Sequence, residues 1–181
     1  MKKYKDKKQY RYKGYDYSQE GFYFVTICAK NREIFFGDVI NGEIKLSEIG
    51  LATDKFWREI PNHFSFVGLD EFVVMPNHFH GIIQINVGTG HCPVPTNTDE
   101  NGGSKFGKVT PKSLSTIIGS YKSIVTKTMN LQRPDIGFAW QSRFHDRIIR
   151  NEDELNRIRQ YIINNPLKWE LDKNNLENLF M

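Results

Sequence analysis

The residues best suited to chemistry are two histidines in the run Asn77-His78-Phe79-His80-Gly81. On a β-strand, residues two apart share a face, so His78 and His80 project side by side while Phe79 turns away. Two neutral imidazole nitrogens at a backbone-fixed separation suit a divalent metal. Taken alone, a His-x-His pair is more often structural than ligating, so the chemistry needs partners. His63, His91 and His145 stand apart in the chain and read as satisfied or surface histidines. Tyr161 and Asn165 are better candidates: four apart on a C-terminal helix, they stack on the margin of its apolar stripe. An amide oxygen is a hard ligand, so Asn165 can complete a His78, His80, Asn165 set that leaves positions on Mg²⁺ or Mn²⁺ for water and phosphate. Tyr161 is then one turn from the metal. A phenol with an ordinary pKa near ~10 becomes a nucleophile when its proton is removed and the phosphorus it attacks is polarised by a cation. The rival, Tyr121, sits mid-stripe on its own helix with Val125 four residues on, and reads as core.

The elements that position these groups follow from periodicity and punctuation. Gly21 to Ala29 is aromatic and β-branched, a buried strand. Asn41-Gly42 marks a small hairpin within Glu33 to Lys45. Ser47 caps a helix carrying Ile49, Ala52, Phe56 and Ile60 and stopped by Pro61. Phe72 to Met75 and His78 to Asn86 are strand-like runs around the turn Pro76-Asn77. Residues 88–110 lose periodicity and read as a flexible loop. Pro111 to Asn130 predicts a helix with Leu114, Ile117, Ile118, Tyr121, Ile124 and Val125 on its buried side. Trp140 to Arg150 predicts the last strand, and Asn151 caps a helix over Glu152 to Asn165 with Leu155, Ile158 and Ile162 inward. The economical packing of this order is an α+β fold, a ferredoxin-like four-stranded antiparallel sheet with helices on one face.

Composition narrows the partners. The chain has 181 residues, 39% of them hydrophobic, enough for one globular domain, 21–181, behind a basic N-terminal arm, 1–20. No apolar run reaches the ~20 residues of a membrane helix, which predicts a cytoplasmic protein without membrane association. Cys28 and Cys92 are too few and too differently placed for a disulfide framework. Charge is uneven: residues 1 to 13 carry +6 and the rest of the chain −2, so the body is not uniformly basic. A lysine-rich arm by itself reads equally as a solubility tail. However, a second stretch, Asn101 to Pro134, has six basic residues and no acid. Lys112, Lys122 and Lys127 fall among hydroxyl side chains on the polar arc of the predicted helix, a surface suited to a sugar-phosphate backbone. Arg143, Arg147 and Arg150 add cations on the last strand. Two separated positive segments favour nucleic acid.

At this level several motifs align with a known family. Met75-Pro76-Asn77-His78-Phe79-His80-Gly81, Trp140-Gln141-Ser142-Arg143-Phe144, Ile149-Arg150-Asn151 and Tyr161-Ile162-Ile163-Asn164-Asn165-Pro166 resemble, in order, the REP-associated tyrosine transposases of the HUH superfamily. The resemblance spans roughly Gly21 to Trp169. It implies that His78 and His80 are metal ligands and that Asn165 is the third, amide-type ligand. It also implies that Tyr161 attacks single-stranded DNA, often beside a hairpin, to give a 5′-phosphotyrosine link and a free 3′-OH. A later 3′-OH can reverse that step and rejoin strands. Two departures stand out: the stretch from Gly88 to Thr110 is long, and His145-Asp146-Arg147 replaces an aromatic-acid-His run. The alternative is a non-catalytic nucleic-acid-binding module on the same fold, but the full Lys/Arg-Gly-aromatic motif of base-stacking modules is missing, since Lys13-Gly14-Tyr15 runs on into Asp16. A zinc hydrolase ranks last because no helix-borne third histidine or suitably spaced Glu accompanies the pair.

Overall fold

The computed structural model of the protein describes residues 15–86 and 112–171. The basic segment 1–14, the expected loop 88–110 with His91 and Cys92, and the tail from 172 lie outside the described residues. The chain forms β1 (Gly21–Cys28), a hairpin of β2 (Gly37–Ile40) and β3 (Glu43–Leu46), helices α1 (Glu48–Arg58) and α2 (Ile60–His63), and strands β4 (Val67–Met75) and β5 (His78–Ile85). Helix α3 (Leu114–Gln132), strand β6 (His145–Ile149), helix α4 (Glu152–Ile163) and a 3-10 segment, Pro166–Leu171, follow. The main sheet has the order β4-β5-β1-β6 with every neighbouring pair antiparallel, which is the ferredoxin-like topology expected from sequence.

Alternation along the two central strands sorts their side chains into two cores. Tyr23, Val25, Ile27, Phe79, Ile83 and Ile85 point to one face and pack with Trp57 of α1 and Ile117, Tyr121 and Val125 of α3. Gly81 lies against the Trp57 ring, where a Cβ would come within 2.6 Å of it, so only glycine allows that approach. The opposite face carries Phe22, Phe24, Thr26, His78, His80 and Ile82 by the same alternation. There Ile82 and Ile149 form a separate core with Leu155 and Ile162 of α4. The expected placement of the helices on one face therefore needs correcting: α1 and α3 cover one side and α4 the other. Both faces of β1 and β5 are largely apolar, so both must be covered. Alternation signals burial but does not say which helix supplies it.

Local chemistry explains most boundaries. The Ser47 hydroxyl accepts from Gly50 N–H (3.1 Å) and donates to the Phe35 carbonyl (2.6 Å), starting α1 as expected. Asn41 and Gly42 take positive φ (54° and 78°), as a tight two-residue hairpin turn requires. Pro61 does not stop a helix; it sits in the first turn of α2, where its missing N–H has no partner to lose. β4 begins earlier than its apolar run, because an irregularity in register between Leu69 and Phe72 carries Asp70 and Glu71 within the strand. β6 is shorter than expected: Trp140 only bridges Ala29, and residues 141–144 leave the ladder before His145. Ile124 departs from the predicted stripe of α3 and is exposed, its inward place taken by Met129. Tyr17, assigned by sequence to the arm, is buried against Tyr15 and Tyr23, and its carbonyl accepts from Leu114 N–H (3.0 Å).

Candidate active site

His78 and His80 open β5 on the α4 face, and both are buried. Their Nε2 atoms face each other at 3.0 Å. Each ring is held from its far nitrogen. His78 Nδ1 lies 2.8 Å from Asn77 Oδ1, itself fully buried, and His80 Nδ1 lies 2.9 Å from Thr26 Oγ1 on β1. An amide oxygen accepts, so His78 carries its proton on Nδ1 and presents a lone pair at Nε2. The Thr26 hydroxyl can donate or accept, so it serves either tautomer of His80. Burial, aided by the positive charge of Arg32, pushes His78 down to about 3, which keeps the ring neutral. Two opposed Nε2 atoms at 3.0 Å need a proton or a cation between them, since two lone pairs repel.

Helix α4 brings the third partner. Asn151 caps it by accepting from Glu154 N–H (2.8 Å), and Glu154 returns a bond from Arg150 N–H (3.0 Å). Leu155 and Ile162 anchor its apolar side, and Arg159 ties it to β4 through Asp70 with bonds of 2.6 and 2.8 Å. That guanidinium holds the Asp70 carboxyl below its ordinary range. The helix so fixed delivers the Tyr161 hydroxyl to 3.3 Å from His80 Nε2, although 46% of the residue remains open to solvent. Phe24 stacks on His80 and meets Tyr161 edge-on, while Trp169 of the 3-10 segment stacks on His78. Asn165 lies between Tyr161 and Trp169 in the chain and is buried, and its Oδ1 has no hydrogen-bond partner among the described residues. A buried, unpaired amide oxygen costs about 1–3 kcal/mol unless something fills it, so the donor set fits a cation. No cluster of three or more His, Cys, Asp or Glu forms among the described residues; a set completed by an amide is of a different composition.

His78 and His80 thus meet Tyr161, 81 residues from His80, as expected, and buried Asn165 follows Tyr161 by four residues. Tyr121 is buried on the other face, its hydroxyl donating to the Thr53 carbonyl (3.1 Å), and burial raises it well above an ordinary phenol. The basic residues divide. Lys122 is not displayed outward: its ammonium donates to the carbonyls of Gln141 (2.6 Å) and Ser142 (3.3 Å). Arg147 pairs with Glu154 at 2.6 Å. Lys112 stands over the Phe66 ring, and Asn86 N–H donates to the Phe66 carbonyl, which puts Lys112 at the far end of β5, about 25 Å from His78 along the strand. Lys127, Arg143 and Arg150 are exposed, and Arg143 precedes β6 at the histidine end of the sheet. Sequence reasoning did not find Thr26, Asn77 or Trp169, and His145, read as a satisfied or surface histidine, is exposed. His145 pairs with Thr26, which pairs with His80, so the three share one row and one face. A Thr two residues from a strand's end carries no distinguishing signal before its partner strand is known.

His78 gives a stability prediction. Its folded pKa lies below the unfolded value near ~6.5, so the stability that its neutrality contributes is complete above that value. It is lost as pH falls towards about 3. In urea denaturation with a chelator present, the wild type should lose about 2 kcal/mol more than His78→Gln between pH 7 and pH 5. Equal losses would mean that the ring is already solvated in the fold.

The chain is 39% identical over 164 residues to an uncharacterized protein of Haemophilus influenzae, an alignment that covers 90% of this chain and 89% of the relative. No family model matches it. Among solved structures, a REP-associated tyrosine transposase bound to a REP hairpin superimposes with a TM-score of 0.52 at 21% identity, covering 90% of this chain and 76% of that one. The protein therefore belongs to the family of the Haemophilus influenzae protein and is built on the fold of the REP-associated tyrosine transposases.

Proposed function

We propose that the protein is a cytoplasmic, metal-dependent, single-stranded DNA transposase or endonuclease that cleaves and rejoins strands through a 5′-phosphotyrosine link at Tyr161. The observation that carries this reading is the convergence on one sheet face of two opposed imidazoles and a phenol 81 residues away, at 3.0 and 3.3 Å, with an unpaired buried amide oxygen four residues beyond the phenol in the chain. The solved neighbour of the same fold, described as bound to a REP hairpin, supports hairpin DNA as the partner.

In this reading His78, His80 and Asn165 hold Mg²⁺ or Mn²⁺. Bound there, the divalent cation supplies Lewis-acid polarisation of the scissile phosphate. Asn77 and Thr26 orient the two imidazoles, and burial keeps His78 unprotonated and ready to ligate. The exposed Tyr161 hydroxyl can reach a phosphate from solvent, and its place 3.3 Å from the His80 nitrogen that would ligate the cation would put the phenol next to that positive charge, which favours its ionised form. Attack forms the Tyr161 O–P bond and breaks the P–O3′ bond, and the phenolic proton ends on the 3′ oxygen. The link keeps the phosphoester energy, so a 3′-OH can reverse it. Lys127, Arg143 and Arg150 are exposed cations that would meet the DNA backbone.

The test is incubation with labelled single-stranded hairpin DNA and Mg²⁺ or Mn²⁺. A denaturant-resistant adduct should form, mass spectrometry should map it to Tyr161, and a chelator should abolish it. Tight DNA binding with no adduct under any divalent ion would replace this reading with the binding module.

A further inference from the structure

Beside the histidine end of the sheet lies a groove of about 650 Å³ between α3 and residues 139–144. We propose that it is a second DNA site, which seats an unpaired nucleotide of the bound single strand, its phosphate at Lys127 and its base against Phe144 and Trp140. This rests on the proposed function and specifies where the strand runs outside the catalytic cluster.

Three observations carry it. The first is chemical complementarity. The walls combine Lys122 and Lys127 with the hydroxyls of Ser123 and Thr126 and the rings of Trp140 and Phe144, and no acidic residue lines them. Cations and hydroxyls suit phosphate, and rings suit any base, which is how single strands are held without sequence readout. The Lys122 ammonium, fixed by the Gln141 and Ser142 carbonyls, has a third donor remaining.

The second is an unmet donor. Trp140 is 8% exposed, and its indole N–H is buried with no partner among the described residues. A buried N–H without an acceptor is destabilising, and a small shift of the Trp140 ring towards the groove would let a phosphate or base oxygen pair with it.

The third is Gly119, in the interior of α3 and on the groove wall. Glycine weakens a helix, yet a Cβ at Gly119 would meet nothing within 4 Å. Protein packing thus gives no reason for the missing side chain, whereas a ligand approaching the bare backbone does. The location agrees. Trp140 bridges Ala29, whose N–H donates to the carbonyl of Asn77, so the groove wall stands two strand spacings, roughly 10 Å, from the residue that precedes His78. The groove lies on the α3 face and Tyr161 on the α4 face, so a single strand serving both passes round the β6 edge of the sheet.

The test is Gly119→Leu, which replaces a poor helix former by a good one and projects a side chain into the groove. Its melting temperature should equal or exceed that of the wild type. Its affinity for a fluorescein-labelled single-stranded oligonucleotide of mixed sequence should fall about tenfold by anisotropy. Lys127→Ala should lower the salt slope of binding by about 0.7, the value of one phosphate contact. Undiminished binding by Gly119→Leu, while the wild type still forms its covalent adduct, overturns the groove and leaves the proposed function standing. Loss of binding by Gly119→Leu in a protein that never forms the adduct overturns the function and keeps the groove. Tighter binding of the corresponding RNA strand overturns the assignment to DNA.

Discussion

Tyr161→Phe stays folded and forms no covalent adduct with DNA. Only the hydroxyl is removed, it lies 3.3 Å from His80 Nε2, and the residue is nearly half exposed, so unfolding stability should change by no more than about 0.5 kcal/mol. Strand cleavage, which on the proposed mechanism forms a bond to that oxygen, should fall by at least about 10⁴-fold. Tyr121→Phe is the converse. It loses a buried hydrogen bond to Thr53, costing about 1 kcal/mol, and retains the adduct, because its phenol faces the α1 and α3 core. Adduct yields on labelled hairpin DNA, beside urea denaturation of the same preparations, check both. An intact adduct in Tyr161→Phe would remove the tyrosine mechanism.

The second large effect separates stability from metal binding at Asn165. Its Oδ1 is buried and unpaired among the described residues, so Asn165→Leu, close in volume and without polar atoms, should stabilise the metal-free protein by about 1 kcal/mol. If the oxygen is a ligand, the same change should weaken Mn²⁺ binding by at least about 100-fold. His80→Ala should go further, abolishing the rise in melting temperature with added Mn²⁺ that binding to the folded state produces. Calorimetric titration and thermal melts with and without chelator measure both. An Asn165→Leu protein that is less stable without metal and binds Mn²⁺ normally would give the amide a purely structural role.

Much of this site was legible because its signals are local. The spacing of His78 and His80 defines a shared face on any strand, and the spacing of Tyr161 and Asn165 a shared margin on any helix. The caps at Ser47 and Asn151 and the turn at Asn41-Gly42 are equally local, and each formed as the residue types require. The basic residues were harder. Lys122 and Arg147 look like phosphate contacts by charge, yet Lys122 is held by two backbone carbonyls and Arg147, though exposed, pairs with Glu154. A cation's partner is set by which segments fold against it, and residue type does not carry that information.

The same division holds for the whole protein. Period-two and period-3.6 patterning, with caps and turns, was enough to determine the order and type of the main strands and helices and the antiparallel α+β class, and residue type with spacing singled out Tyr161, His78 and His80 as candidates. Only the tertiary structure decided that α4 covers the opposite face from α1 and α3. It alone set Thr26 behind His80, Trp169 over His78 and His145 in the same row. Patterning records how each segment divides water from core. Which two cores form, and which distant polar groups meet across them, depends on long-range packing that no segment encodes by itself.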